Sequence, residues 1–227
     1  MSLIIETLTN HIYQQLRNYP FHNLNLLNGT NASIGGTCFD HALRLKQSLQ
    51  LDGFTARLHE AEVCMTGEKT HRLVRVDAEG DIIYLDTGTG WPTGYVIPLD
   101  GAEKNYEIAG IKFKSILHER HILVQRYNGN NWLNMNRIPI EEQDEVSILD
   151  KFNDRYSKDL PFSNELRLCW FDGQKFNRIA GNQLSIYRER KNVEHINITP
   201  AEILKVIEKT TFSELMPDLE KYAEKYC

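Results

Sequence analysis

The chain has 227 residues, of which 41% are hydrophobic and 25% are charged, with a formal net charge of -5 and an isoelectric point near 5.9. This composition is typical of a globular protein with a substantial core. The acidic balance, without a basic cluster interleaved with aromatic residues, argues against nucleic acid as the main partner. No apolar run approaches the roughly 20 residues of a membrane-spanning helix, and residues 1–9 lack the basic start of a signal segment. We therefore expect a cytoplasmic protein without a membrane partner.

The four cysteines and eight histidines raise the question of disulfides and metals. The cysteines show no Cys-x-x-Cys spacing, and without a signal segment they are expected to be reduced thiols. No His-Glu-x-x-His or paired Cys/His pattern occurs, so the sequence predicts no metal site.

Residues 1–53 form the first of three predicted regions, and it is helical. Apolar residues at helical spacing predict a helix over about 4–16, and alternating apolar residues over 20–27 predict an extended connection. A second helix should begin near Cys38 and end at Asp52-Gly53, which is typical of a helix C-terminus.

The second and third regions, 54–140 and 141–227, are predicted to be a β-barrel and an α/β unit. Short alternating segments separated by glycine and asparagine turns favour an antiparallel sheet or barrel over parallel crossovers. Strands are expected over 54–65, 70–76, 82–86, 106–108, 111–113, 121–125 and 131–135. The third region should contain helices over 140–156, 200–209 and 216–226 and strands over 166–171, 175–179 and 183–187.

Cys38 is the first candidate functional residue, because it follows a Gly35-Gly36 turn and begins an amphipathic helix. Unpaired backbone N–H groups and the positive end of the helix dipole stabilise a thiolate at this position. A free cysteine is also commonly a small buried hydrophobic residue, so the position alone leaves both interpretations open.

His71 and Asp86 lie on the two strands of a predicted hairpin, where cross-strand side chains are about 5 Å apart. An imidazole there could accept the proton of the Cys38 thiol, and a carboxylate could orient the imidazole and stabilise its charged form. Taken singly, His71 could be a surface histidine and Asp86 an ordinary turn residue. The order of helix cysteine, strand histidine and strand aspartate favours nucleophilic acyl chemistry.

These motifs resemble the arylamine N-acetyltransferase family, whose chains carry the segments Pro-Phe-Glu-Asn-Leu, Arg-Gly-Gly-x-Cys-[Phe/Tyr]-Glu, Thr-His and Val-Asp-Val-Gly-Phe-Gly. The corresponding segments here are Pro-Phe-His-Asn-Leu at 20–24, Gly-Gly-Thr-Cys-Phe-Asp at 35–40, Thr-His at 70–71 and Leu-Asp-Thr-Gly-Thr-Gly at 85–90. Segments 161–164, 181–186 and 199–202 also resemble the C-terminal part of the family.

The resemblance implies an α+β fold with an N-terminal helical segment, a central antiparallel β-barrel and a C-terminal α/β lid, on a core like that of cysteine proteases and transglutaminases. It also implies a ping-pong reaction in which Cys38 accepts an acetyl group from acetyl-CoA and passes it to an arylamine, hydrazine or related amine. His71 would be the base and Asp86 its orienting partner. Acetyl-CoA serves as the acyl donor, and no metal is implied.

The family's binding residues carry over by position. The amine pocket would be lined by Phe21, Thr89 and Ser163, although Phe21 could equally be core. The coenzyme A side would be formed by Gly88, Gly90 and Lys69. His22, His41 and His59 are interpreted as structural or exposed.

Three departures from the family pattern leave the acceptor open. Ile34 replaces an arginine, Asp40 replaces a glutamate, and Thr89 stands where the family often has an aromatic residue. A smaller residue at position 89 could admit a bulkier acyl donor or acceptor, as in amide synthases that close macrolactams. A cysteine hydrolase or a transglutaminase-like enzyme could use the same three residues, and a non-catalytic binding protein could retain the fold.

Overall fold

The computed structural model describes residues 3–94, 96–98, 103–154 and 164–226, and within these ranges the protein consists of helices packed against two antiparallel sheets. The helices are α1 (Leu3–Asn18), α2 (Leu24–Asn28), α3 (Cys38–Leu51), α4 (Glu145–Asp154), α5 (Pro200–Ile207) and α6 (Met216–Tyr226). A short 3-10 turn, Ser213–Leu215, precedes α6. None of these helices is long and apolar enough to cross a membrane.

The larger sheet has eight strands and curls into a half-barrel, which is the predicted central barrel in open form. Its strands are β2 (Thr55–Val63), β3 (Glu68–Ala78), β4 (Asp81–Leu85), β5 (Val96–Pro98), β6 (Glu103–Ile108), β7 (Ile111–Leu117), β8 (His121–Tyr127) and β9 (Trp132–Pro139). They are ordered β5-β4-β3-β2-β9-β8-β7-β6. Two meanders, β2 to β5 and β6 to β9, make up this order, because short turns join antiparallel strands that are neighbours in sequence. The two meanders are joined by the antiparallel pairing of β2 with β9.

The smaller sheet has five strands in the order β1-β10-β11-β12-β13. They are β1 (Phe21–His22), β10 (Arg167–Asp172), β11 (Lys175–Ala180), β12 (Gln183–Tyr187) and β13 (Glu194–Asn197). Apolar residues of this sheet pack with α2, α5 and α6 into one buried cluster. The β1–β10 pairing joins the first and third predicted regions.

The predicted extended connection over 20–27 is wrong for most of its length, because only Phe21–His22 is a strand and Leu24–Asn28 is helical. Asn23 accounts for the change of direction. Its side-chain amide donates to the carbonyl oxygen of Glu165 at 2.8 Å and accepts from the backbone N–H of Arg167 at 2.7 Å. Leu24 and Leu27, three positions apart on this helix, then enter the C-terminal cluster.

Helix α3 is held by its apolar face, which explains why its N-terminus has a fixed position over the half-barrel. Ala42, Leu45 and Leu49 recur at helical spacing and are at most 2% exposed. They belong to one core cluster with α1 and with residues of β2, β3 and β4. The predicted helix over this segment is confirmed, with Cys38 as its first residue.

The turn before α3 requires glycine at position 35. Gly35 has φ of +68°, and a Cβ atom there would lie 2.0 Å from the carbonyl oxygen of Pro20. Gly29 has nearly the same backbone conformation, φ of +65°, but a Cβ there would meet nothing within 4 Å.

We expect Gly35→Ala to destabilise the protein more than Gly29→Ala does. Both substitutions carry the cost of a left-handed residue, about 1–2 kcal/mol, but only the first also collides with a backbone oxygen. Urea denaturation of the two variants measures the difference in unfolding free energy. Equal losses in the two variants would contradict the steric account of this turn.

Candidate active site

Cys38 occupies the first position of α3 and is 6% exposed. Asp40 organises this helix end, since its Oδ2 accepts from the backbone N–H of Thr37 at 2.8 Å and from the Thr37 hydroxyl at 3.0 Å. The aspartate that replaces the family's glutamate therefore still forms the acidic half of a capping box. The thiol of Cys38 faces the carbonyl oxygen of Thr70, 3.7 Å from Sγ.

His71 and Asp86 form a buried pair beside this helix end. Nε2 of His71 lies 2.9 Å from Oδ2 of Asp86, and the two side chains are 5% and 1% exposed. The other carboxylate oxygen accepts from the backbone N–H of Gly88 at 3.1 Å. The β3–β4 register puts Leu73 opposite Asp86, so the imidazole meets the carboxylate along a diagonal rather than directly across the hairpin.

The imidazole of His71 also has the side chain of Cys38 as a neighbour, and this side chain contributes to the pKa of the histidine. Because Nε2 faces Asp86, the nitrogen available to the sulfur is Nδ1. Burial lowers the pKa of His71, but the charge and hydrogen bond of Asp86 and the neighbouring sulfur outweigh it and raise the pKa from 6.5 to about 10. The geometry thus favours a protonated imidazole between two acceptors.

His41 lies three residues after Cys38 on α3 and is held in the neutral form. It is fully buried, with Nε2 3.2 Å from the carbonyl oxygen of Pro20 and Nδ1 3.4 Å from the amide nitrogen of Gln15. Burial is the main cause that lowers the pKa of His41 to about 3. This histidine, interpreted as structural from the sequence, therefore carries no charge at neutral pH.

Gly88, in the loop after β4, lies directly against the start of α3. A Cβ atom on Gly88 would lie 2.6 Å from Cα and 2.8 Å from Cβ of Cys38. Contacts this short require the neighbour to move, so glycine is needed here for packing against the cysteine backbone.

A cavity of about 430 Å³ adjoins Cys38 and His71, between the two sheets. Four of the residues assigned to binding by the resemblance line it: Phe21, Gly88, Thr89 and Gly90. Lys69 is exposed on β3 and is not part of the cavity wall. Ser163 lies outside the described residues.

Sequence reasoning missed several residues of this wall. They are Trp91, Arg126, Arg167, Cys169 and Arg178. These residues come from a loop, from β8, and from two strands of the smaller sheet, so only the packing of the two sheets brings them together. The alternation within β10 and β11 could have placed Arg167, Cys169 and Arg178 on one sheet face, but no local motif connects that face to Cys38.

A family model described as N-acetyltransferase matches residues 4–215, nearly the whole chain. The chain belongs to this family. The family resemblance and the fold class predicted from the sequence are thereby confirmed, and this N-acetyltransferase is an acyltransferase enzyme. A search of curated proteins returned no match.

Solved structures similar to this N-acetyltransferase have low sequence identity but nearly complete coverage. The arylamine N-acetyltransferase of Mycobacterium marinum is 16% identical with a TM-score of 0.82, covering 98% of this chain and 93% of that one, and a second structure of it contains CoA. The enzyme from Nocardia farcinica is 19% identical with a TM-score of 0.80 over 96% and 87% of the two chains. The Salmonella typhimurium enzyme is 18% identical with a TM-score of 0.76 over 95% and 91%.

Within the described ranges, no group of three or more His, Cys, Asp or Glu side chains is placed to hold a metal ion.

The raised pKa of His71 predicts a pH-dependent contribution to stability. The folded state retains the imidazole proton between pH 6.5 and about 10 while the unfolded state has released it, so the stabilisation is complete below 6.5 and is lost toward 10. We expect the contribution of His71 to fall by about 1.4 kcal/mol per pH unit in this window.

Urea denaturation of Cys38→Ala and of Cys38→Ala combined with His71→Gln measures this contribution. The alanine background is needed because the thiol can otherwise supply the proton that the imidazole holds. It also removes the part of the pKa rise that comes from the sulfur, so in this background the contribution should be lost before pH 10. The same substitution at exposed His118 serves as the control. A constant difference across the window would contradict a raised pKa.

Gly88→Ala should reduce the reactivity of Cys38 at least about tenfold, since a displacement of about 1 Å at a reacting group is costly. Alkylation of Cys38, followed by peptide mass spectrometry, measures the rate, and circular dichroism checks that the fold is retained. An unchanged alkylation rate in the folded variant would show that the helix accommodates the methyl group.

Proposed function

We propose that this enzyme moves an acetyl or other acyl group from coenzyme A to an arylamine, hydrazine or related amine, through a thioester on Cys38. The observation that carries the proposal is that Cys38 and His71 lie on the wall of one cavity, while buried Asp86 is hydrogen-bonded to the imidazole of His71. A cysteine beside an imidazole that is itself oriented by a carboxylate is the arrangement that nucleophilic acyl transfer needs.

The first half-reaction begins from the pair in which His71 already holds the proton of the thiol, and the Cys38 thiolate attacks the carbonyl carbon of the acyl-CoA thioester. The new carbon–sulfur bond forms as the bond to the coenzyme A sulfur breaks. The imidazolium then returns its proton to the departing thiolate. Asp86 stabilises the charged imidazole throughout, because its Oδ2 already accepts from Nε2.

In the second half-reaction, the amine attacks the carbonyl carbon of the Cys38 thioester. His71 removes a proton from the attacking nitrogen, and the carbon–sulfur bond breaks to release the amide product. The sulfur leaves as a thiolate, which restores the starting pair of thiolate and imidazolium. Donor and acceptor thus use the same three side chains in turn, which defines a ping-pong sequence.

The start of α3 is suited to stabilise the negative oxygen formed in both half-reactions. The first N–H groups of a helix have no acceptor within the helix, and the helix dipole adds positive potential at that end. A carbonyl carbon bonded to Sγ of Cys38 would hold its oxygen near these groups.

The cavity suits a flat aromatic acceptor more than a peptide. Phe21 and Trp91 supply aromatic surface, and the Thr89 hydroxyl is already committed, donating to the carbonyl oxygen of Trp91 at 3.0 Å. The Mycobacterium marinum structure that contains CoA supports coenzyme A as the donor carrier for this fold. Gly88 and Gly90 lie on the same wall as Cys38.

Mixing the protein with acetyl-CoA without an amine should add the mass of one acetyl group at Cys38, as read by intact and peptide mass spectrometry. Cys38→Ser should abolish the thioester, while Cys64→Ser, a free cysteine outside the cavity, should retain it. His71→Gln should slow acylation by about 10²–10⁴-fold, the usual contribution of a general base.

The fate of the adduct separates the proposed transferase from the alternatives. Addition of an arylamine or hydrazine should discharge the thioester to an amide. Discharge by water at the same rate with and without amine would indicate a hydrolase. Failure of acetyl-CoA to modify Cys38 at all would refute the proposed donor chemistry.

A further inference from the structure

The cavity beside Cys38 carries positive charge that acyl transfer itself does not use. Three guanidinium groups line it, from Arg126, Arg167 and Arg178. Among the lining residues in the described ranges there is no aspartate or glutamate. In a chain with a net charge of -5, this local excess of arginine is a feature of the cavity rather than of the overall composition.

Arg126 and Arg178 converge on one side chain. The guanidinium carbons of Arg126 and Arg178 lie 3.8 Å and 4.6 Å from the ring centroid of Trp91. Arg167 differs, because it forms an ion pair with Glu165. In the described part of the chain, neither Arg126 nor Arg178 pairs with a carboxylate, so the indole ring is their shared partner.

Two like charges held this close are unfavourable unless an anion joins them. Burial lowers the pKa of Arg126 below its usual range, and the charge of Arg178 lowers it further, whereas Tyr187 acts in the opposite direction. Cation–π contacts with Trp91 offset part of the cost and also fix both planar groups in position. Their hydrogen-bond donors remain suited to a carboxylate, which guanidinium binds with two parallel hydrogen bonds.

The strand register places Arg178 close to the part of the cavity expected to take the amine. Cys169 of β10 pairs with Phe21 of β1 on one side and with Arg178 of β11 on the other. At about 4.8 Å between neighbouring strands, Phe21 and Arg178 are separated by about 10 Å. A small substrate on Phe21 can therefore extend a second functional group to the guanidinium.

We propose that Arg126 and Arg178 bind a carboxylate of the substrate, so that the enzyme selects acyl groups or amines that bear a second, anionic group. The proposal deepens the proposed acyl transfer and rests on it. The carboxylate can belong to the acyl group, as in succinyl-CoA, or to the acceptor, as in an aminobenzoate. In either substrate the carboxylate is a few bonds from the reacting atoms. The phosphates of coenzyme A, in contrast, are separated from the coenzyme A sulfur by the whole pantetheine arm.

The test compares carboxylate substrates with neutral counterparts of similar size. In the donor arm, succinyl-CoA is compared with butyryl-CoA for acylation of Cys38. In the acceptor arm, 4-aminobenzoate is compared with 4-aminobenzamide, both with acetyl-CoA as donor. The wild-type enzyme should prefer the carboxylate in one arm, and that arm identifies which substrate carries it.

Arg126→Gln and Arg178→Gln should each lower kcat/KM for the preferred carboxylate substrate by about tenfold to hundredfold, the usual value of a hydrogen bond to a charged group. The neutral counterpart should change less than about twofold, which also shows that the variants fold. Arg178→Lys should recover only part of the loss, because lysine lacks the planar pair of donors. Arg137→Gln removes a guanidinium from the neighbouring part of the sheet, outside the cavity, and should leave both substrates unaffected.

Two results would overturn the proposal. One is a wild-type enzyme with no preference for the carboxylate in either arm. The other is a loss of kcat/KM in the arginine variants that is equal for charged and neutral substrates and disappears when S-acetyl-N-acetylcysteamine, a donor without phosphates, replaces the coenzyme A thioester. That result would mean that the arginines bind coenzyme A. The proposed acyl transfer fails separately, if wild-type Cys38 accepts no acyl group from any donor.

Discussion

The close approach of Gly88 to Cys38 is the constraint on which the site depends. The backbone of Gly88 lies against Cα of the cysteine, while its N–H donates to Oδ1 of Asp86. One short segment therefore sets the distance between helix and sheet and also fixes the carboxylate that orients His71. A larger residue would disturb both at once. Packing against Cys38 explains why position 88 is a glycine. The contact with coenzyme A that the resemblance assigns to Gly88 stays a prediction.

Burial alone does not decide the charge of a histidine in this protein. His22, His41, His59 and His71 are all at most 4% exposed. The first three have a ring nitrogen within hydrogen-bond distance of a backbone carbonyl oxygen and have lowered pKa values. Only His71 among them faces a carboxylate at hydrogen-bond distance, and its pKa is raised instead. The partner at the ring nitrogen, rather than depth in the core, separates a structural imidazole from one that can exchange protons.

The sequence predicted the elements whose signals are local, and these include the three residues at the centre of the site. Helical spacing after Gly35-Gly36 predicted α3 with Cys38 at its start, and alternation predicted the β3–β4 hairpin that carries His71. Among the elements that were missed, α2 and β13 have signals that are not local. The leucines of α2 alternate like a strand, and β13 is exposed along its whole length, so it has no apolar pattern. The arginine pair at Trp91 was missed for the same reason, since strands of both sheets contribute it.

The pairing of β1 with β10 has a consequence for how the protein is made. Asn23 is bonded to Glu165 across 142 positions of the chain, and Phe21 of the same segment forms part of the cavity wall. Contacts of such long range form late in folding, because the chain loses loop-closure entropy before the contact can compensate for that loss. During synthesis Cys38, His71 and Asp86 leave the ribosome well before the strand that completes the cavity beside them. The thiol therefore acquires its enclosed surroundings only after the C-terminal sheet has been translated.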